Sequence, residues 1–164
     1  DVPPAAVKQG LIDFQPAPHR IATVAVIDGV TFIDDSKATN EHAAGMSLAS
    51  YAHTGIIWVA GGLAKGQDFE PLREPLAAHA RAVAFIGRDG QAMAAQLQGL
   101  DVPTAHLPSL PEATAWCFAQ ARPGDAVLLS PACASLDMFT NYAHRAQVFV
   151  DAVREIALDK GMEI

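Results

Sequence analysis

Four short segments of this chain carry side chains able to hold a small anion, and each follows a short, mostly apolar run. Asp35-Ser36-Lys37-Ala38-Thr39-Asn40 follows VTFID at 30–34, and Gly61-Gly62-Leu63-Ala64-Lys65-Gly66 follows IIWVA at 56–60. Pro131-Ala132-Cys133-Ala134-Ser135 follows AVLLS at 126–130. Gly87-Arg88-Asp89-Gly90, after AVAFI at 82–86, is the least distinctive. Together they offer lysines, hydroxyls and helix N-termini. Fixed cations and free backbone N–H groups are the donors that a carboxylate-bearing ligand requires.

Plainer explanations exist for each. Asp35 or Thr39 suits the N-cap of a following helix, and Ser135 suits the cap of a helix starting near Leu136. Gly61-Gly62 can simply end a strand, and Lys65 can be a solvated loop lysine. Residues 61–66 lack phosphate-loop spacing, and no G-x-G-x-x-G occurs. Cys133 reads as a small buried filler. Ser130 lies beside Pro131 and outside any G-x-S-x-G elbow, which argues against a hydrolase. The six histidines show no metal-ligand spacing, so no metal site is expected from this domain alone.

The elements that must position these segments alternate. Strand-like runs at 21–27 and 30–34 flank Asp28-Gly29, a strong hairpin signal. Helical stretches are predicted from Asn40 to about Ala52, near 70–80, around 89–98, from Glu112 to Ala121 and from about Asp137 to Leu158. They separate strands at 56–60, 82–86, 102–107 and 126–130. Trp58 and Trp116 both read as core. Short, nearly all-apolar strands between helices predict an α/β fold: an open, mostly parallel, Rossmann-like sheet with helices on both faces and an antiparallel hairpin near the N-terminus. Such sheets bind ligands beyond the carboxyl ends of their strands, so the four segments should share one edge.

At 164 residues the chain is one domain long, and 51% hydrophobic against 18% charged residues makes it globular. A formal net charge of −7 argues against nucleic-acid binding, which needs a basic face. Two cysteines, Cys117 and Cys133, make no disulfide framework, and no apolar run approaches the roughly 20 residues that cross a bilayer. A soluble cytoplasmic protein without membrane contact is expected. The start at Asp1 and the prolines at 3, 4, 16 and 18 suggest a piece of a longer chain, with 1–18 as linker or the end of a preceding domain and 19–164 as the domain proper.

PHR at 18–20, DDSKATN at 34–40, GGLAKGQDF at 61–69 and LLSPACASLDMFTNYAHR at 128–145 resemble the C-terminal domain of the Mur ligases, over about residues 10–155. Related ligases carry a tyrosine-containing stretch in place of DSKATN, so the resemblance points to the branch that adds D-glutamate to UDP-N-acetylmuramoyl-L-alanine. It implies an ATP-dependent amide-bond ligase of cell-wall synthesis working through an acyl phosphate. Lys65 and Thr39 would contact one carboxylate of D-glutamate, and Ser135, Leu136 and Tyr142 would surround the other. Arg20, Asp35 and Lys37 would face ATP. Mg2+ and the phosphate loop would belong mainly to a central domain, and the UDP-sugar site to an N-terminal one. The isolated domain would then be inactive and monomeric. Where the family often has Glu-Arg-Gly after the Asn-Tyr pair, this chain has Ala143-His144-Arg145-Ala146. Tyr-Ala-His-Thr at 51–54 imitates a sister motif but follows a helix, out of place. The alternatives are another Mur-type ligase, a folylpolyglutamate synthase or, from a different class, a nucleotide-binding regulatory module.

Overall fold

The computed structural model describes residues 2–13 and 17–164. Pro16, part of the proline-bearing segment, lies outside them. Pro4 opens a helix, α1 (Pro4–Asp13), whose residues are all exposed. Proline is tolerated in the first turn, where its missing N–H has no intrahelical partner to lose.

β1 (Ala22–Ile27) and β2 (Val30–Asp34) form the antiparallel hairpin expected from Asp28-Gly29. Both turn residues have positive φ, 50° and 78°, as a two-residue turn matching the right-handed strand twist requires. β3 (Ile56–Gly61), β4 (Ala80–Ile86), β5 (Thr104–His106) and β6 (Ala126–Leu129) complete a six-stranded sheet in the order β1-β2-β6-β3-β4-β5. Every pairing except the hairpin is parallel.

Alternation along β3 shows how the sheet is buried on both sides. Ile56, Trp58 and Ala60 pack with α2 (Glu41–Ser50), α3 (Arg73–His79) and α4 (Gly90–Gln96) through Leu48, Leu76 and Met93. Ile57 and Val59 face the other way, toward α5 (Leu110–Gln120) and α6 (Tyr142–Asp159), with Cys117 and Phe149. Trp58 is fully buried, and its indole N–H donates to the Ser130 carbonyl at 2.7 Å, so the ring fills the core without an unpaired donor. Trp116 is only half-buried, packed against the second cluster.

Several boundaries differ from expectation: α1 occupies part of the expected linker, β5 covers only 104–106 of the expected 102–107, and two further differences bear on the site. Residues 70–72 form a short 3-10 turn before α3, and β4 begins directly at Ala80. The last helix starts at Tyr142, not near Asp137. The Ser135 carbonyl accepts the N–H groups of Met138 and Phe139 in a tight turn, and the side chain of Asn141 caps the helix by accepting the His144 N–H at 2.8 Å.

Because β2, β6, β3 and β4 are parallel neighbours, all four candidate segments open at one edge. Close backbone approach there demands glycine. Gly61 has φ 123°, and a Cβ on it would overlap the Ile86 carbonyl. Gly66 has φ 72° with open space around it. Gly61→Ala should therefore lower unfolding stability by ~3 kcal/mol or more, and Gly66→Ala by about 1 kcal/mol. Urea unfolding of the two variants checks this, and equal losses would contradict it.

Candidate functional site

The DSKATN loop is held from within by its acidic pair. Asp34 accepts the Ser36 N–H at 3.0 Å and pairs with His19 Nδ1 at 2.7 Å. Asp35 is 4% exposed and accepts hydrogen bonds from the Ser47 hydroxyl, the Ser130 hydroxyl at 2.7 Å and the Ile21 N–H at 3.2 Å. Burial pushes its carboxyl above the ordinary carboxylate range, and the bonds from Ser47, Ser130 and Ile21 oppose that rise. Neither Asp35 nor Thr39 caps α2. Asn40 does, accepting the Ala43 N–H at 2.9 Å.

Beneath this loop lies Arg145, 1% exposed, one turn into α6. Its Nε donates to Ser36 Oγ at 2.9 Å, and its two terminal nitrogens donate to the carbonyls of Cys133 at 2.9 Å and Ser36 at 2.6 Å. Ser36 Oγ in turn donates to the Tyr142 carbonyl at 2.7 Å. Burial lowers the Arg145 pKa to about 10, which leaves it charged at neutral pH. One guanidinium thus joins the loop after β2, the loop after β6 and the first turn of α6.

Backbone bonds bring the remaining segments alongside. The Ala132 N–H donates to the Ala38 carbonyl at 2.9 Å. Leu63 and Ala134 exchange bonds of 2.9 and 3.0 Å in an isolated antiparallel bridge. Gln67 bonds to the carbonyls of Ala64 and Ala132, and its Oε1 accepts the Glu41 N–H at 2.8 Å. The loops bearing Thr39, Lys65 and Ser135 are therefore contiguous.

Each expected site residue has a definite place. Lys65 is exposed and Thr39 half-buried. Ser135 is 4% exposed, with no helix beginning at Leu136 for it to cap. Leu136 stands out at 64% exposure and lines an open cleft of about 570 Å3 together with Leu63 and Arg88. The Lys37 ammonium lies 5.7 Å from the centroid of the Tyr142 ring, a cation–π placement. Arg20, exposed, borders a small cavity of about 130 Å3 with Asp35, Ala38 and Ser47. Arg20 is also tethered to the central loop through its neighbours, since the His19 carbonyl accepts the Lys37 N–H at 3.1 Å.

Sequence reasoning did not single out Arg145, Ser36, Ser47, Gln67 or Asp89. Arg145 left a trace: it sits on the stripe of Phe149, Val153 and Ala157, at four-residue spacing on the buried face of α6. A cation on an apolar stripe must find partners inside.

Asp34 and Asp35 do not suit a metal ion. Both oxygens of Asp34 and of Asp35 already accept bonds, and among the described residues no group of three His, Cys, Asp or Glu side chains converges. Arg20 is exposed and Lys37 half-buried, so both cations are accessible at this edge. Among the described residues no helix is long and apolar enough to cross a membrane.

A family model described as Mur ligase, glutamate ligase domain, matches residues 19–133. The UDP-N-acetylmuramoylalanine–D-glutamate ligase of Burkholderia thailandensis is 51% identical over 161 residues, 98% of this chain and 32% of the relative. The chain thus spans about a third of the length of the curated relatives it matches. Among solved structures, a bifunctional folylpolyglutamate synthase/dihydrofolate synthase from Yersinia pestis aligns with a TM-score of 0.65 at 18% identity, over 92% of this chain and 34% of that one. The UDP-N-acetylmuramate-alanine ligase of Thermotoga maritima aligns with a TM-score of 0.64 at 15% identity, over 93% and 34%. Likeness at these identities speaks for the fold alone.

Cys133 sits amid this site yet is fully buried, and burial raises its thiol pKa to about 12. Since the thiolate is the nucleophile, Cys133 in the folded chain should alkylate with iodoacetamide at pH 8 more than ~100-fold slower than in the urea-unfolded chain. Mass spectrometry of the labelled peptide reads the rate, and comparable rates would refute the burial.

Proposed function

The chain belongs to the Mur ligase family, as its glutamate ligase domain, and from that premise we propose that it is the amino-acid-binding part of a cytoplasmic ligase that uses ATP to add D-glutamate to UDP-N-acetylmuramoyl-L-alanine in peptidoglycan synthesis. The observation that carries the reading is the meeting of the Thr39, Lys65 and Ser135 loops at one sheet edge. A dicarboxylate needs charge-assisted or hydrogen-bonding partners at both ends once it leaves water. Lys65 and Thr39 take one carboxylate. Ser135, Leu136 and Tyr142 enclose the other, with Leu136 excluding water from a position where it is otherwise 64% exposed.

Arg20 and Lys37 face the nucleotide. Asp35, buried and fully engaged, serves that side by fixing the backbone N–H of Ile21, next to Arg20. The γ-phosphoryl group of ATP passes to the carboxylate of UDP-N-acetylmuramoyl-L-alanine, giving an acyl phosphate and ADP. The amine of D-glutamate then attacks the acyl carbon. The C–N bond forms, the C–O bond to phosphate breaks, phosphate leaves and the nitrogen gives up a proton. Cations fixed at the edge stabilise the charge that develops on the phosphoryl oxygens. The Mg2+ that accompanies ATP is held outside this chain, whose acidic pair is already bonded. The UDP-sugar site and the phosphate loop also lie in the rest of the enzyme, so this domain alone is inactive.

Lys65→Ala in the full-length ligase tests the reading. Losing one charge-assisted bond costs about 1.5–3 kcal/mol, so the KM for D-glutamate should rise roughly ten- to a hundredfold. The KM for ATP and the melting temperature should hold, because Lys65 is exposed. An unchanged KM for D-glutamate would overturn the assignment.

A further inference from the structure

The segment least distinctive in sequence, Gly87-Arg88-Asp89-Gly90, braces the loop that carries Lys65. Asp89 stands at the N-cap position of α4, yet its side chain makes no capping bond. The capping residues Asn40, Ser109 and Asn141 all have extended backbone, whereas Asp89 has φ −101° and ψ 9°. Its carboxylate reaches across to the neighbouring loop, where Oδ2 accepts the Ala64 N–H at 2.8 Å. Its own N–H donates to the Gly62 carbonyl at 2.9 Å. From the far side, Gln67 donates to the Ala64 carbonyl through its backbone N–H at 3.1 Å and its side chain at 2.8 Å.

Residue 64 is therefore gripped on both peptide groups, and the residue that follows is strained. Lys65 has φ 53°, a left-handed conformation that a residue with a side chain rarely adopts unless its neighbours impose it. Released from the Asp89 bond, the loop would relax and the lysine would swing away. We propose that Asp89 is a positioning residue for the amino-acid substrate, holding Lys65 in the left-handed conformation from which its ammonium meets a carboxylate of D-glutamate. This rests on the role given to Lys65 above.

The test is a cycle of variants in the full-length ligase: Asp89→Ala, Asp89→Asn, Lys65→Ala and the Asp89→Ala/Lys65→Ala pair. KM values for D-glutamate and ATP are measured for each. KM is independent of how much of the enzyme is folded, so the comparison survives a partial loss of stability. Asp89→Ala should raise the KM for D-glutamate about tenfold and leave that for ATP unchanged. Asp89→Asn keeps an acceptor oxygen and should stay within about twofold of the parent. In the Lys65→Ala background, Asp89→Ala should add less than about twofold, because the lysine it positions is gone. Full additivity of the two substitutions, or a normal D-glutamate KM in Asp89→Ala beside a raised one in Lys65→Ala, would overturn the positioning role alone. A normal KM in Lys65→Ala would overturn the lysine assignment and the brace with it.

Discussion

A guanidinium taken out of water must have its donors met by the protein, and Arg145 imposes that condition on everything around it. Burying a charge costs several kcal/mol before its partners are counted. Those partners are the Ser36 carbonyl and hydroxyl and the Cys133 carbonyl, and none is a carboxylate. The bonds therefore act as a constraint on backbone more than as an ion pair. They fix where the DSKATN loop, the loop after β6 and the start of α6 lie relative to one another. Arg154, exposed on the same helix and paired with Asp151 at 3.4 Å, imposes nothing comparable, since solvent screens such pairs.

Strain gathers where these constraints converge. Among the described residues, five non-glycines have positive φ: His19, Ile21, Asp28, Lys65 and Ala132. Asp28 belongs to the hairpin turn. The other four lie in the segments at the candidate site. Left-handed backbone at such residues persists only where the surroundings over-determine it, and here they do. Ile21 donates to Asp35, the Ala132 N–H donates to Ala38, and the peptide before Lys65 is held by Asp89 and Gln67. Stability has been given up at one edge of an otherwise regular sheet, in exchange for loops with a single arrangement.

Much of this was legible in the sequence, for reasons that differ by element. Asp28-Gly29 announced the hairpin because few residue pairs tolerate two positive φ values in succession. The apolar runs at 56–60 and 126–130 announced buried parallel strands because only a strand covered on both faces lacks alternation. The start of α6 was not legible, because Ser135 and Asn141 both have the chemistry of a cap. The choice between them depends on the turn that Ser135 makes through its carbonyl. Asp89 was hidden for a related reason: next to a helix start it reads as a cap, and only the three-dimensional approach of Ala64 reveals its other use. Arg145 was passed over, although a cation on the stripe of Phe149, Val153 and Ala157 marks it, because nothing local in sequence says what it binds.

Hydrogen exchange on Arg145→Met bears most directly on the claim that one buried cation sets the loops. Methionine fills similar space and removes every donor, so the sheet and its two cores should persist. Amides of residues 35–38 and 132–134 should then exchange on the order of ten- to a hundredfold faster, while those of β3 and β4 keep their protection. Unchanged exchange in both loops, with the sheet intact, would show that backbone pairing alone holds them and that Arg145 is dispensable to the site.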